Sequence, residues 1–207
     1  MIPVKVLSVR YLANASGALA KGLGAPAGYP SLGMLTTDSD DPTYIALDAA
    51  TKVSDVQVCY GRSFYAGAGN ASTPNAGEVI GILAGRTPGD LRSGMEAVLG
   101  TLQRVGFEEV NGVPYLAHTV SSVGSFLAKE AGVPIGSAIA YLIAPPLESM
   151  FAMDAALKAA DVKLCKLYTP PTETNFGGGL LSGTQSACAA ACEAFARAVA
   201  DVAGNTR

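Results

Sequence analysis

The stretch "IALDAATKVSDVQVC" (Ile45–Cys59) returns 106 residues later as "FAMDAALKAADVKLC" (Phe151–Cys165), with eight of fifteen positions identical. The shared residues are Ala, Asp, Ala, Ala, Lys, Asp, Val and the closing Cys. The echo extends outward on both sides. "SGALAKGLG" (Ser16–Gly24) resembles "GSFLAKEAG" (Gly124–Gly132), and "SLGMLTT" before the first copy is matched by "AIAYLIA" before the second. After the copies come "VIGILAG" (Val79–Gly85) and "GGLLSG" (Gly178–Gly183), each followed by a long alanine-rich amphipathic run. The offset drops at the last pair, so the first half holds about eight extra residues around Tyr65–Glu78. Two copies at so long a period indicate a fused pair of domains; a solenoid repeats more often and at shorter intervals. The halves meet near Gly106–Val113, which sets the expected domains at 1–107 and 108–207.

Each half carries the same order of elements. "VKVLSVRY" (Val4–Tyr11) and "PYLAHTVSS" (Pro114–Ser122) alternate in polarity and predict strands. A short helical turn and a second strand follow. Ala, Leu, Met and Phe then recur at helical spacing over Thr43–Val53 and Leu147–Ala160. The strands "VQVCYGR" and "VKLCKLY" come next, and each is separated from a last strand by a loop rich in Gly, Pro, Thr and Asn. The closing helix of the first half opens with Thr87 as N-cap, Pro88 at its first position and Asp90 in its first turn, and runs to about Val105. In the second half "SGTQ" (Ser182–Gln185) has capping-box spacing. The expected fold class is α/β, an α+β sandwich in each half with about four mainly antiparallel strands and two main helices.

Composition narrows the function. Of the 207 residues 49% are hydrophobic and only 15% charged, with a mean hydropathy of +0.31. A soluble domain ordinarily covers more of its surface with charge, so much of this surface is expected to meet other subunits. The longest apolar candidate, "AIAYLIAPPL" (Ala138–Leu147), is about half the length of a spanning helix and is broken by two prolines. No membrane partner is therefore expected. A net charge of −3 and a pI near 5.1 exclude a nucleic-acid footprint. "MIPVKVLSVRYLANASG" lacks the long apolar core of a signal peptide, and four cysteines without framework spacing predict reduced thiols in a cytosol.

Enzyme motifs are mostly missing. The one histidine, His118, lies on an alternating strand and reads as structural. There is no Gly-x-Ser-x-Gly elbow; "GAGNAS" (Gly67–Ser72) lacks the third glycine of a dinucleotide loop, and "GGGLLSGTQS" lacks the phosphate-loop lysine. Cys188 and Cys192 share a helix face and read as packing; Cys59 and Cys165 occupy equivalent positions and read as buried structural thiols. No cofactor, metal site or catalytic residue is expected. The best enzyme alternative is "MLTTDSDDPTY" (Met34–Tyr44), where a strand ends in Asp-x-Asp as in magnesium-dependent phosphatases, with Asp38 as nucleophile and Asp40 as acid/base. Pro42 stands where that motif wants Thr or Val.

Asp38, Asp40 and Asp41 nonetheless form a constellation. Acids at a helix start meet exposed N–H groups and the positive end of the dipole, which accounts for one of them. Three acids within four residues exceed what one cap requires, and the second copy has only "APPLE" at that place. Clustered carboxylates attract a small cation, metal or organic ammonium. The loop "YTPPTETNFGGG" (Tyr168–Gly179) adds threonine hydroxyls and permissive glycines.

Several long motifs resemble the EutL family of ethanolamine-utilisation microcompartment shell proteins. They are "SLGMLTTDSDDPTYIALDAATK", "YGRSFYAGAGNAS", "AGEVIGILAG", "YLIAPPLESMFAMDAALKAADV" and "PPTETNFGGGLLSGTQSACAAACEAF". The resemblance spans nearly the whole chain. It implies two tandem, circularly permuted BMC domains, a homotrimer that acts as a flat pseudo-hexamer, and tiling with other shell proteins into a microcompartment shell in the cytoplasm. It also implies a gated central pore and small pores that bind ethanolamine. Carried over position by position, the ligand residues are Asp40, Asp41, Glu78, Phe107, Thr172, Glu173 and Thr174. The pore and gate residues are Tyr65, Gly67, Gly69, Asn70, Asn175, Phe176 and Gly177. Carboxylates suit the ammonium, threonines the hydroxyl, and Phe107 offers a π face. The alternative within the class is a shell trimer of another microcompartment with a different substrate.

Overall fold

The computed structural model describes residues 1–64 and 75–205, which divide into two compact units. The N-terminal unit comprises Pro3–Val105 together with Gly124–Phe126; the C-terminal unit comprises Met1–Ile2, Gly106–Val123 and Leu127–Arg207.

The N-terminal unit is built from β1 (Val6–Leu12), α1 (Gly17–Gly22), β2 (Ser31–Thr37), α2 (Asp40–Ala50), β3 (Val56–Ser63), β4 (Val79–Gly85) and α3 (Pro88–Leu102). Its four strands form an antiparallel sheet in the order β1-β2-β4-β3. Because side chains alternate across a strand, Leu35 and Leu83 meet Ala46, Leu47, Leu91 and Met95 of the helices on one face. Leu32, Ile82 and Ala84 turn to the other face, against Tyr29. This double burial makes β4, VIGILAG, read as a nearly unbroken apolar run. Gly81 lets α2 close on the sheet, since a Cβ there would lie 2.7 Å from Leu47 Cδ1.

The C-terminal unit carries β5 (Glu108–Val110), β6 (Val113–Val120), α4 (Ser125–Ala131), β7 (Ala138–Ala144), α5 (Pro146–Ala159), β8 (Val162–Tyr168), β9 (Gly177–Gly183) and α6 (Gln185–Gly204); the first two residues of α4 are counted with the N-terminal unit. The antiparallel sheet has the order β5-β6-β7-β9-β8. Ala138, Ala140, Leu142 and Ala144 line one face of β7 and pack with Ala152, Met153, Ala156, Cys188, Cys192 and Phe195. Small residues on both sides let α5 and α6 lie close to the sheet.

The expected α/β class and the two-helix, antiparallel design of each half are present. A hairpin, β5–β6, follows Gly106, and its Asn111–Gly112 turn has positive φ at both positions (50° and 79°). Asn-Gly is the residue pair that such a turn favours. Four details differ from expectation. α2 begins at Asp40, three residues before the apolar periodicity does, and α3 stops at Leu102. Thr184, not Ser182, caps α6: its hydroxyl accepts the Ala187 N–H at 3.1 Å, while Ser182 donates to the Ala138 carbonyl at 3.0 Å. Cys59 and Cys165 are half-buried, because β3 and β8 are edge strands and both cysteines sit at matching register shifts, Val58/Tyr60 and Leu164/Lys166. Thr87 caps α3 as expected, accepting from the Asp90 N–H at 3.1 Å.

Candidate functional site

The acidic constellation is assembled by the end of β2. The Lys5 N–H donates to Asp38 Oδ1 at 2.8 Å and the Asp38 N–H to the Lys5 carbonyl at 3.2 Å, so Asp38 prolongs the β1–β2 pairing. The buried hydroxyls of Thr37 and Thr43 lie 2.7 Å apart and gather on the Ser39 carbonyl at 2.8 and 2.7 Å. This knot fixes the turn into α2, and neither threonine was singled out from sequence. Asp40 and Asp41 then occupy the first turn of α2, where the helix's N–H groups favour negative charge. Both are buried, and Asp40 Oδ1 accepts the Asp41 N–H at 2.9 Å.

Glu78 arrives on the returning chain. Gly77, at φ +67°, passes so close over β2 that a Cβ would press on the Thr37 carbonyl and lie 2.6 Å from Leu7 Cδ1. The Glu78 N–H donates to the Thr37 carbonyl at 2.8 Å, and its own carbonyl accepts from Phe64 at 3.0 Å. Burial pushes the Glu78 carboxyl above its ordinary range, and the neighbouring Asp40 and Asp38 push it further. The N-terminal unit thus brings Asp38 and Asp40 close enough to Glu78 to act on its charge, with Asp41 next to Asp40 in the first turn of α2.

The C-terminal unit holds the other candidates. The Thr172 N–H donates to the Phe176 carbonyl and the Asn175 N–H to the Thr172 carbonyl, each at 3.1 Å. With Asn175 at φ +67°, this turn places Glu173 and Thr174 at its tip. Phe176 stacks on buried Phe107 at 5.6 Å between ring centroids, and the Phe107 carbonyl accepts the Ile2 N–H at 2.5 Å. One face of the Phe107 ring is therefore taken by Phe176. At the base of the loop Glu130 Oε1 accepts from Lys166 at 2.5 Å and from the Tyr168 hydroxyl at 3.1 Å. Glu130 and Lys166 carried no sequence signal, because their spacing of 36 residues belongs to no motif. Gly177 is buried at the start of β9. Tyr65, Gly67, Gly69 and Asn70 lie outside the described residues.

Among the described residues, no three or more His, Cys, Asp or Glu side chains come together as metal ligands would, and no helix is long and apolar enough to cross a membrane. Cys188 and Cys192 are buried in the helix–sheet core, where Thr119 donates to Cys192 Sγ at 3.4 Å.

Comparison with known proteins now separates the readings. The BMC domain family matches residues 31–113. The bacterial microcompartment shell protein EutL of Clostridium perfringens is 56% identical over 99% of this chain and 96% of its own. The crystal structure of that EutL superposes with a TM-score of 0.94, covering 99% of this chain and 94% of the other. The crystal structure of the ethanolamine utilization protein EutL from Leptotrichia buccalis also gives 0.94, at 53% identity, covering 99% and 96%. The matching relatives are structural shell proteins and not enzymes, which displaces the phosphatase reading of Asp38 and Asp40. With more than half its residues shared across nearly the full length of both chains, the protein belongs to the EutL family of bacterial microcompartment shell proteins.

Proposed function

We propose that this shell protein is a homotrimer with a gated central pore and small pores that bind ethanolamine, so that it controls the passage of metabolites. In this reading residues 1–107 and 108–207 are tandem, circularly permuted BMC domains. Three chains supply six domains around the central opening, and the plate joins other shell proteins at its rim. Asp40, Asp41 and Glu78 hold the ligand's ammonium. Thr172, Glu173 and Thr174 meet its hydroxyl end, and Phe107 closes over it. Asn175, Phe176 and Gly177 belong to the gate together with Tyr65, Gly67, Gly69 and Asn70.

The observation that carries the ligand reading is the charge at Glu78. A half-buried carboxylate kept beside two more carboxylates is unfavourable by itself, and a bound ammonium relieves it. The name of the Leptotrichia relative, an ethanolamine utilization protein, supports the choice of ammonium. Any effect of ligand on the gate requires different affinity for its open and closed states.

Calorimetric titration tests the ligand. Ethanolamine binds the wild type, Asp41→Asn weakens it by about tenfold, the loss of one charge-assisted contact, and ethylene glycol, which keeps the hydroxyl and lacks the ammonium, does not bind. Equal affinity of wild type and Asp41→Asn for ethanolamine removes the carboxylates from the site. Native mass measurement tests the assembly, with three chains as the expected species.

A further inference from the structure

Phe107 is held at two points, its ring by Phe176 and its carbonyl by the Ile2 N–H at 2.5 Å. The run "MIPVK" (Met1–Lys5) explains how Ile2 comes to donate. A proline restricts the residue before it to extended backbone, so Pro3 leaves the Ile2 N–H out of any local helical bond and available to a neighbour. Gly106 makes the crossing possible, since a Cβ there would press on the Ile2 carbonyl and lie 3.2 Å from Met1 Cγ. Gly106 is buried, while Met1, Ile2 and Pro3 are exposed. An exposed strap laid over a buried glycine adds little to a hydrophobic core, so core packing alone gives no reason for so close a crossing.

The consequence of the crossing appears further along the contacts. With its carbonyl fixed by Ile2, Phe107 presents its ring to Phe176 at a centroid distance of 5.6 Å. The Phe176 carbonyl accepts the Thr172 N–H, and the Thr172 carbonyl accepts the Asn175 N–H, each at 3.1 Å. An unbroken series therefore runs from Ile2 through Phe107 and Phe176 to the turn that carries Glu173 and Thr174. All of these residues belong to the C-terminal unit, to which Met1 and Ile2 are joined by contact although they open the chain.

We propose that Met1–Ile2 is a positioning strap for the ligand site: it pins the Phe107 backbone, and through the Phe107–Phe176 stack it sets the Thr172–Thr174 turn before ligand arrives. Ile2 and Gly106 touch no ligand atom and act through Phe107. Ordering a loop on binding costs affinity, and a turn already held in place has less of that cost left to meet. Gly106 is the residue that admits the strap, and Pro3 is the residue that keeps it extended. The proposal rests on the ethanolamine reading and adds the device that holds one side of its site in order.

The test uses the full-length chain, with ethanolamine titrated calorimetrically and amide exchange read at Thr172 and Asn175. Gly106→Ala lifts the strap and weakens ethanolamine about fivefold, the worth of one backbone hydrogen bond. Pro3→Gly frees the backbone of Ile2 and weakens it about threefold. Ile2→Leu, which keeps the N–H and the bulk, binds as the wild type does. In both weakened variants exchange at the turn rises several-fold, while the β7–β9 amides stay protected and the thermal midpoint holds, because the strap is exposed. Unchanged affinity and unchanged exchange in Gly106→Ala and Pro3→Gly overturn the strap and leave ethanolamine binding standing. Affinity lost together with the thermal midpoint and with protection across β7–β9 overturns it as well, since Gly106 and Pro3 then serve the fold. A wild type that binds no ethanolamine overturns both.

Discussion

The Asp48 carboxylate accepts the backbone N–H of Gly124 at 2.7 Å across 76 residues of sequence, and no part of its side chain reaches solvent. A buried acid survives only when its charge is met by donors, and Lys52 adds a second at 3.4 Å. Asp48→Ala strands the Gly124 N–H and removes both contacts. It is expected to cost about 2–3 kcal/mol, read as a lower midpoint of urea unfolding. Gly124→Ala has a similar effect for a different reason, since its Cβ would collide with Thr51 Oγ1. An unchanged midpoint in both variants would show that this contact contributes little.

The Phe107–Phe176 pair holds the Thr172–Asn175 turn in place. Phe176 supplies both a ring to Phe107 and a carbonyl to the Thr172 N–H, so loosening the ring frees the turn. Phe176→Leu loses roughly 1 kcal/mol of aromatic contact. Hydrogen exchange at Thr172 and Asn175 should rise several-fold, while the β7–β9 amides stay protected. Uniform change across the sheet, or none at the turn, would count against this role.

The duplicated stretch was legible because it carries a helix face, a following turn and an edge strand in one run of residues. Its core positions repeat, Ala46/Ala152 and Ala50/Ala156, and so does its closing cysteine at the bulge. What did not show in sequence was set by neighbours far along the chain. Asp48 and Asp154 are identical in sequence, yet one is buried and the other exposed, because only α2 receives Gly124. The β5–β6 hairpin is legible in Asn111–Gly112, the pair that favours a turn with positive φ at both positions. The acidic group was half visible: Asp38, Asp40 and Asp41 are adjacent in the chain, but the nearness of Glu78 depends on how Gly77 crosses Thr37.

The thiols should react in an order set by burial. Burial pushes Cys59 and Cys192 up to about 11, and raises Cys165 and Cys188 as well. At pH 8 a thiol near 11 is only about one part in a thousand thiolate. Cys165, half-exposed on the edge strand β8, is expected to be alkylated by iodoacetamide before the buried pair, and Cys188 and Cys192 only when urea unfolds the chain. Mass spectrometry of the peptides decides the order. Rapid labelling of Cys192 in the folded protein would mean that the α6–sheet core opens readily.

Glu78 links pH, stability and binding in opposite directions. Its carboxyl is raised by burial and by Asp40 and Asp38, so the folded chain holds a proton there more tightly than the unfolded chain does. The stability it contributes is fully present below the ordinary value of 4.5 and is lost as pH rises through the raised value. Above that value the charged side chain is a burden, and Glu78→Gln should raise the thermal midpoint at pH 7 while leaving it nearly unchanged at pH 4. Binding runs the other way, because an ammonium needs the carboxylate ionised. Ethanolamine affinity should therefore fall as pH drops toward 4, and Glu78→Gln should bind more weakly at pH 7 with a flatter pH profile. Scanning calorimetry and titration on the same two proteins separate the effects: a variant that is more stable and binds less tightly fits a carboxylate kept for its ligand. A variant that loses stability without losing affinity assigns Glu78 to the fold.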